Sequence, residues 1–290
     1  MPAPITTKKT TRHTIILPGA PDKFVVGVLE QVCPDEPTQG RKLALILHGA
    51  MGHKDYLYQK RLAHRLPLDS FRLDFRGNHE SPGPWLMDGF SDDYEDIEAS
   101  VAYLQEHFGY VVDLVVGHSR GSVVGMWWIS SSKAARNVRG YVNASGRYRM
   151  RVSHNQSDER HGLLKKQGWF EERQTVARKP FRAIVTLEQL EAFARFNSAH
   201  IWEDFPAATH VLTLHGLADQ VVPVYDAVIY ARALGARSPG THNLHLIEKA
   251  DHNFTGMQDD VIATILKWWD HLERGKLKTG IWQTGVRPKL

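Results

Sequence analysis

The chain has 290 residues, of which 42% are hydrophobic and 23% charged, enough to bury roughly 75% of the surface its unfolded form exposes. That balance excludes a disordered chain, and no apolar run approaches the ~20 residues that cross a bilayer. Thirty-six basic against thirty-two acidic residues leave a net charge of +4. They are scattered except near the C-terminus, which is not a nucleic-acid footprint.

The amino-terminal stretch MPAPITTKKTTRHT carries basic residues but no apolar segment behind them. It does not read as a secretory signal, so a reducing compartment, the cytoplasm, is expected. Residues 12–17 (RHTIIL) and 24–32 (FVVGVLEQV), parted by the turn signal PGAPD, predict two antiparallel strands. The single cysteine, Cys33, precludes an intramolecular disulfide and reads as a small apolar residue at a strand edge.

KLALILHG (42–49) predicts a strand buried on both faces of a parallel sheet. Helical spacing over 55–66, strand-like SFRLDF (70–75), and a helix over 94–109 stopped by Gly109 come next. VDLVVG (112–117) predicts another buried strand and 122–137 another helix. Strands over 138–143, 210–216 and 243–250 and a last helix over 258–273 complete the series.

Alternating short strands and amphipathic helices predict an α/β fold, an open and mostly parallel sheet with helices on both faces. Residues 145–208 break the rhythm with helical but no strong strand signals. They are expected to form a small helical cap inserted in a single domain spanning 1–290.

Ligands of such sheets bind at the carboxyl ends of the strands. There the stretch VVGHSRGSVV (115–124) places Ser119 between a strand and a helix, bracketed by Gly117 and Gly121. This is the context of a nucleophile elbow. A serine hydroxyl needs a base and an orienting carboxylate. Among the sixteen histidines, His252 follows the last predicted strand in ADHNF, and Asp219 follows HVLTLHG in LADQVVP. Asp251 and Glu248 are alternative acids. The backbone N–H groups of Arg120 and Ala50 are the expected oxyanion donors, with Met51 an alternative to Ala50.

The segments LHGAMGHK, DFRGNHES, GHSRG, LHGLADQVVP and ADHNF together resemble the α/β-hydrolase superfamily, and within it the small-cap serine esterases of the feruloyl and cinnamoyl esterase type. The resemblance implies an eight-stranded fold, no cofactor, and cleavage of a small-molecule carboxylic ester or thioester through an acyl-serine intermediate. Two positions depart from it. His79 replaces the second glycine of D-x-R-G-x-G-x-S and is expected to be structural. Ala50 stands where such esterases often carry an aromatic residue.

Met51, His118, Trp169 and Phe170 are the candidate substrate contacts. For His118 the alternative is packing beside the sheet, and His48 and His215 are expected to hydrogen-bond within the sheet rim. Trp169, Phe170, Phe181, Phe193, Phe196 and Trp202 form either an acyl pocket or the cap's own core. No metal site is expected, because His242 and His245 point to opposite faces of a strand. Trp127, Trp128, Trp268 and Trp269 read as helix packing residues.

The same triad also serves acyltransferases and lyases, and the fold also serves non-catalytic ligand-binding proteins. No nucleic-acid partner and no membrane span are expected, and oligomeric state is not legible. The terminal Pro288-Lys289-Leu290 differs from a peroxisomal S-K-L address at its first position, leaving that compartment as an alternative to the cytoplasm.

Overall fold

In the computed structural model, which describes residues 8–151 and 158–281, the fold begins with β1 (Lys9–Leu17), β2 (Ala20–Gln31), β3 (Lys42–Leu47), α1 (Gln59–Arg65), β4 (Asp69–Asp74) and α2 (Phe90–Phe108). It continues through β5 (Val111–His118), α3 (Arg120–Ser131) and β6 (Gly140–Ala144). Next come α4 (Asp158–Gln167), β7 (Trp169–Val176), β8 (Lys179–Thr186), α5 (Leu187–Arg195) and α6 (His200–Glu203). The last elements are β9 (His210–Gly216), α7 (Tyr225–Leu234), β10 (His242–Ile247), α8 (Gln258–Glu273) and β11 (Gly280–Ile281).

Among the described residues, nine strands form one sheet in the order β1-β2-β4-β3-β5-β6-β9-β10-β11. β1 and β2 are antiparallel, as is β2 to β4, and every pair from β4 onward is parallel. The period-two geometry of a strand sorts side chains between two layers. Leu43, Leu45 and Leu47 enter one buried cluster, and Ala44 and Ile46 the other. α2, α3 and α7 cover the first face with residues such as Ile97, Val123 and Tyr230. α1 and α8 cover the second with Leu62, Ile265, Trp268 and Trp269. The continuous apolar run of β3 is therefore the signature of burial on both sides.

The chain departs from expectation in three places. The sheet has a ninth strand, because the two-residue β11 pairs beside β10; it is too short to show any periodicity. The helix α7 lies in a stretch to which the sequence reading assigns no element, although Ala227, Tyr230 and Leu234 give a helical stripe of buried residues.

The cap is also not purely helical: β7 and β8 form an antiparallel hairpin with Phe170 opposite Val185 and Val176 opposite Lys179. Its two turn residues, Ala177 and Arg178, both have positive φ, 49° and 65°. A two-residue hairpin turn of that kind ordinarily announces itself through Asn-Gly or Asp-Gly. Here the turn carries neither, so the hairpin has no turn signal. Leu164, Phe170, Ala183, Val185 and Leu190 of the insertion form a separate small core with Trp85.

No helix among the described residues is long and apolar enough to cross a membrane. The first seven residues and Pro288-Lys289-Leu290 lie outside the described residues.

Candidate active site

Strand β5 ends at His118 and helix α3 begins at Arg120, leaving Ser119 alone at the turn. Ser119 has φ 52° and ψ −116°, a conformation costly for a residue with a Cβ. The surroundings hold it there. Its N–H donates to the Ala144 carbonyl at 2.8 Å, and its own carbonyl accepts from the N–H of Ser122 and Val123. The flanking glycines are required by close approach. A Cβ at Gly117 would lie 2.5 Å from Ser122 Cα, and one at Gly121 would lie 2.3 Å from the His48 carbonyl oxygen. Both neighbours are backbone atoms that cannot swing aside.

The loops after β9 and β10 bring two more side chains to this turn. His252 Nε2 lies 2.9 Å from Ser119 Oγ, and His252 Nδ1 lies 2.8 Å from Asp219 Oδ2. A carboxylate only accepts, so Nδ1 carries the proton and Nε2 is left to accept from the serine hydroxyl. Asp219 Oδ1 accepts from the N–H groups of Val221 and Val222, both at 2.8 Å.

Burial works to raise the Asp219 pKa, but hydrogen bonds from His215 and His252 and from the backbone outweigh it. The carboxyl is held well below its usual range. The backbone that carries the imidazole is held as well: the His252 carbonyl accepts from His118 Nε2 at 3.0 Å and from Ser145 Oγ at 3.1 Å. Asp251 instead accepts from the N–H groups of Asn253 and Thr255 within its own loop, and Glu248 is exposed.

Ser119 opens on a pocket of about 140 Å³. Its walls are chiefly Met87, Phe90, Val123, Met150 and Phe193, and Ala50 and Arg120 border it. Arg120 opens α3, so its N–H has no carbonyl one turn back within the helix. The Arg120 side chain has separate partners. Its guanidinium pairs with Asp93 at 2.5 Å, donates to the carbonyls of Leu86 and Met87, and lies 4.6 Å over the Phe90 ring. It thereby locks the start of α2 against the elbow.

The candidate substrate contacts fall elsewhere. Met51 packs against the small cap core, of which Phe170 is a buried member, and Trp169 points outward. His118 is buried behind His252, and burial, with the nearby His252, lowers its pKa to about 3. None of these four lines the pocket, and of the insertion's aromatic residues only Phe193 does. Phe196 packs on Phe90 and Trp127 instead.

The wall residues Met87, Phe90, Val123 and Met150 escaped sequence reasoning. Val123 carried a usable signal, one helical turn beyond the serine. The others arrive through tertiary packing.

His48 accepts the Phe75 N–H at 3.0 Å and donates to the Gly49 carbonyl at 2.7 Å, with a pKa lowered by burial to about 4. His215 Nε2 donates to the Val222 carbonyl at 2.9 Å. His53, Asp74 and His79 bring three potential metal-ligand atoms within 4.8 Å of one another. The Lys54 ammonium already sits 2.7 Å from Asp74 Oδ2 and also bonds Glu80, supplying the positive charge a metal would bring.

A model of the alpha/beta hydrolase family matches residues 44–264, a span that includes Ser119, Asp219 and His252. The chain belongs to the α/β-hydrolase family. Among curated proteins, this hydrolase is 30% identical over 238 residues to the uncharacterized protein YDL057W of Saccharomyces cerevisiae, covering 76% of this chain and 70% of the yeast protein. Among solved structures it is similar to Est1E of Butyrivibrio proteoclasticus, solved with ferulic acid bound. The TM-score is 0.68 at 13% identity, over 90% of this chain and 99% of Est1E. It is also similar to the Pyrococcus furiosus esterase Pf2001, with a TM-score of 0.64 at 14% identity, over 92% of this chain and 93% of the esterase. At such identities the likeness is one of fold.

Proposed function

We propose that this α/β-hydrolase is a serine esterase that cleaves a carboxylic ester or thioester with an apolar acyl group. The observation that carries the reading is the unbroken chain from Asp219 through His252 to Ser119, with contacts of 2.8 and 2.9 Å, at the mouth of an apolar pocket. Ser119 Oγ attacks the carbonyl carbon while its proton passes to His252 Nε2. The carbonyl oxygen becomes an oxyanion held by the backbone N–H groups of Ala50 and Arg120. As the tetrahedral species collapses, the carbon–oxygen or carbon–sulfur bond breaks and His252 returns the proton to the leaving group. Water, deprotonated by His252, then attacks the acyl-serine and releases the acid.

The apolar acyl assignment is supported by the pocket walls, since Met87, Phe90, Val123, Met150 and Phe193 reward burial of hydrocarbon. The test is turnover of 4-nitrophenyl esters of graded acyl length, with product analysis for free acid. Hydrolysis is expected to yield the free acid and to fall by at least about 10⁴-fold in Ser119→Ala. Equal turnover by the variant, or product found only as an acylated acceptor, would defeat the reading.

A further inference from the structure

Beyond Ser119, the acyl pocket is apolar except for two arginines, Arg120 and Arg147. Arg147 lines it, three residues beyond the end of β6, and is half-buried. The contrast with Arg120, the other arginine at the pocket, is informative. Arg120 is neutralised by Asp93 and capped by two carbonyls. The guanidinium of Arg147 donates to the Val221 carbonyl at 2.6 Å, and it forms no ion pair within 4 Å with a carboxylate of the described residues.

The two carboxylates whose charge reaches Arg147, Asp226 and Asp219, are already engaged. Asp226 pairs with Arg149 at 2.7 Å and accepts from the N–H groups of Tyr148 and Arg149. Asp219 is held by His252, His215, Val221 and Val222. Burial pulls the Arg147 pKa down, opposed by the more distant charges of Asp226 and Asp219. A partly desolvated guanidinium with five donors and one carbonyl partner among the described residues is well suited to receive a bidentate anion.

The side of the scissile bond also follows from placement. The pocket is bordered by Ser119 and by the two N–H donors assigned to the oxyanion, while His252, which must protonate the leaving group, is not among its walls. The pocket therefore receives the acyl portion. We propose that Arg147 binds a carboxylate at the far end of the acyl chain, so that the preferred substrates are half-esters or half-thioesters of dicarboxylic acids. The apolar walls pack the methylenes between the two ends. This rests on the reading of Ser119 as the nucleophile.

The test uses the full chain and the monoethyl esters of succinic, glutaric and adipic acids, each paired with the neutral ester in which isopropyl replaces the carboxylate. For the best-fitting length, kcat/KM for the half-ester is expected to exceed that of its neutral partner by about tenfold or more. Arg147→Met should collapse that ratio, Arg147→Lys should retain part of it, and Arg147→Glu should invert it. If Arg147 merely tethers Val221, each variant slows both esters together and the ratio stays put, which would overturn the proposal. A wild-type preference for the neutral partner at every length would overturn it too.

Failure of Ser119 chemistry is distinguished by calorimetry, which needs no turnover. Glutarate should bind the wild-type protein more tightly than 5-methylhexanoate, and Arg147→Met should erase the difference. Equal binding of the two acids overturns the proposal whether or not any ester is hydrolysed.

Discussion

Asp219 meets His252 with one carboxylate oxygen only, Oδ2 at 2.8 Å from Nδ1, because two backbone N–H groups at 2.8 Å hold the other. That division of labour fixes the carboxylate plane and, through it, the tautomer that leaves His252 Nε2 facing Ser119. The acid is thus anchored by its own loop, independently of the histidine it orients.

Asp219→Asn should leave the loop intact, since the amide oxygen can still accept from Val221 and Val222. The amide nitrogen would face Nδ1 as a donor and favour the wrong tautomer. A fall of about 10⁴-fold in kcat for a 4-nitrophenyl ester is expected, with little change in melting temperature. A loss below tenfold would show that Asp219 is not the orienting acid.

Arg120 contributes to the fold through a side chain its motif does not advertise. Its partner Asp93 is 4% exposed, so Arg120→Met strands a buried carboxylate. Urea denaturation should show a loss of about 3–5 kcal/mol. Asp93→Leu combined with Arg120→Met should recover part of that loss, because the second change removes the uncompensated charge. Strict additivity of the two single losses would contradict the pairing.

Buried histidines shape the acid sensitivity. His242 is 2% exposed, is hydrogen-bonded to Thr213, and has its pKa lowered by burial to about 3. In the unfolded chain it titrates near 6.5. Between those values the unfolded state holds a proton that the folded state lacks, so stability is full above about pH 6.5 and falls as pH drops. The slope is about 1.4 kcal/mol per pH unit for this one group.

His48 and His118 act in the same sense. Asp96 acts in the opposite one, its pKa pushed up to about 7 by burial despite the Arg76 ion pair. The difference between proteins isolates His242. His242→Gln should flatten the decline between pH 6 and pH 4 by about that slope, measured by urea denaturation at each pH. Parallel profiles for the two proteins would contradict it.

The elements that build the candidate site were the ones whose sequence carries local signals. Ser119 sits where an apolar strand run meets a glycine-bracketed turn and a helix, and Asp219 and His252 each follow a strand legible by its run of buried residues. The hairpin of the cap was not legible, since its turn places Ala177 and Arg178 at positive φ without the residues that usually mark one. Nor were the pocket walls: Met87 and Phe90 at the start of α2 and Met150 beyond β6 belong to two distant segments, and only packing decides that they face Ser119. Arg147 lies in no motif, and its meaning emerges only from the acidic partners its neighbours have already taken.

The most direct measurement of the central claim, that Ser119 is the activated nucleophile, is labelling of the folded protein by a fluorophosphonate probe, read by mass spectrometry of the modified peptide. Stoichiometric modification at Ser119 is expected, abolished in Ser119→Ala and strongly slowed in His252→Ala. Absence of labelling in the folded wild-type protein, or undiminished labelling of Ser119→Ala at another residue, would contradict it.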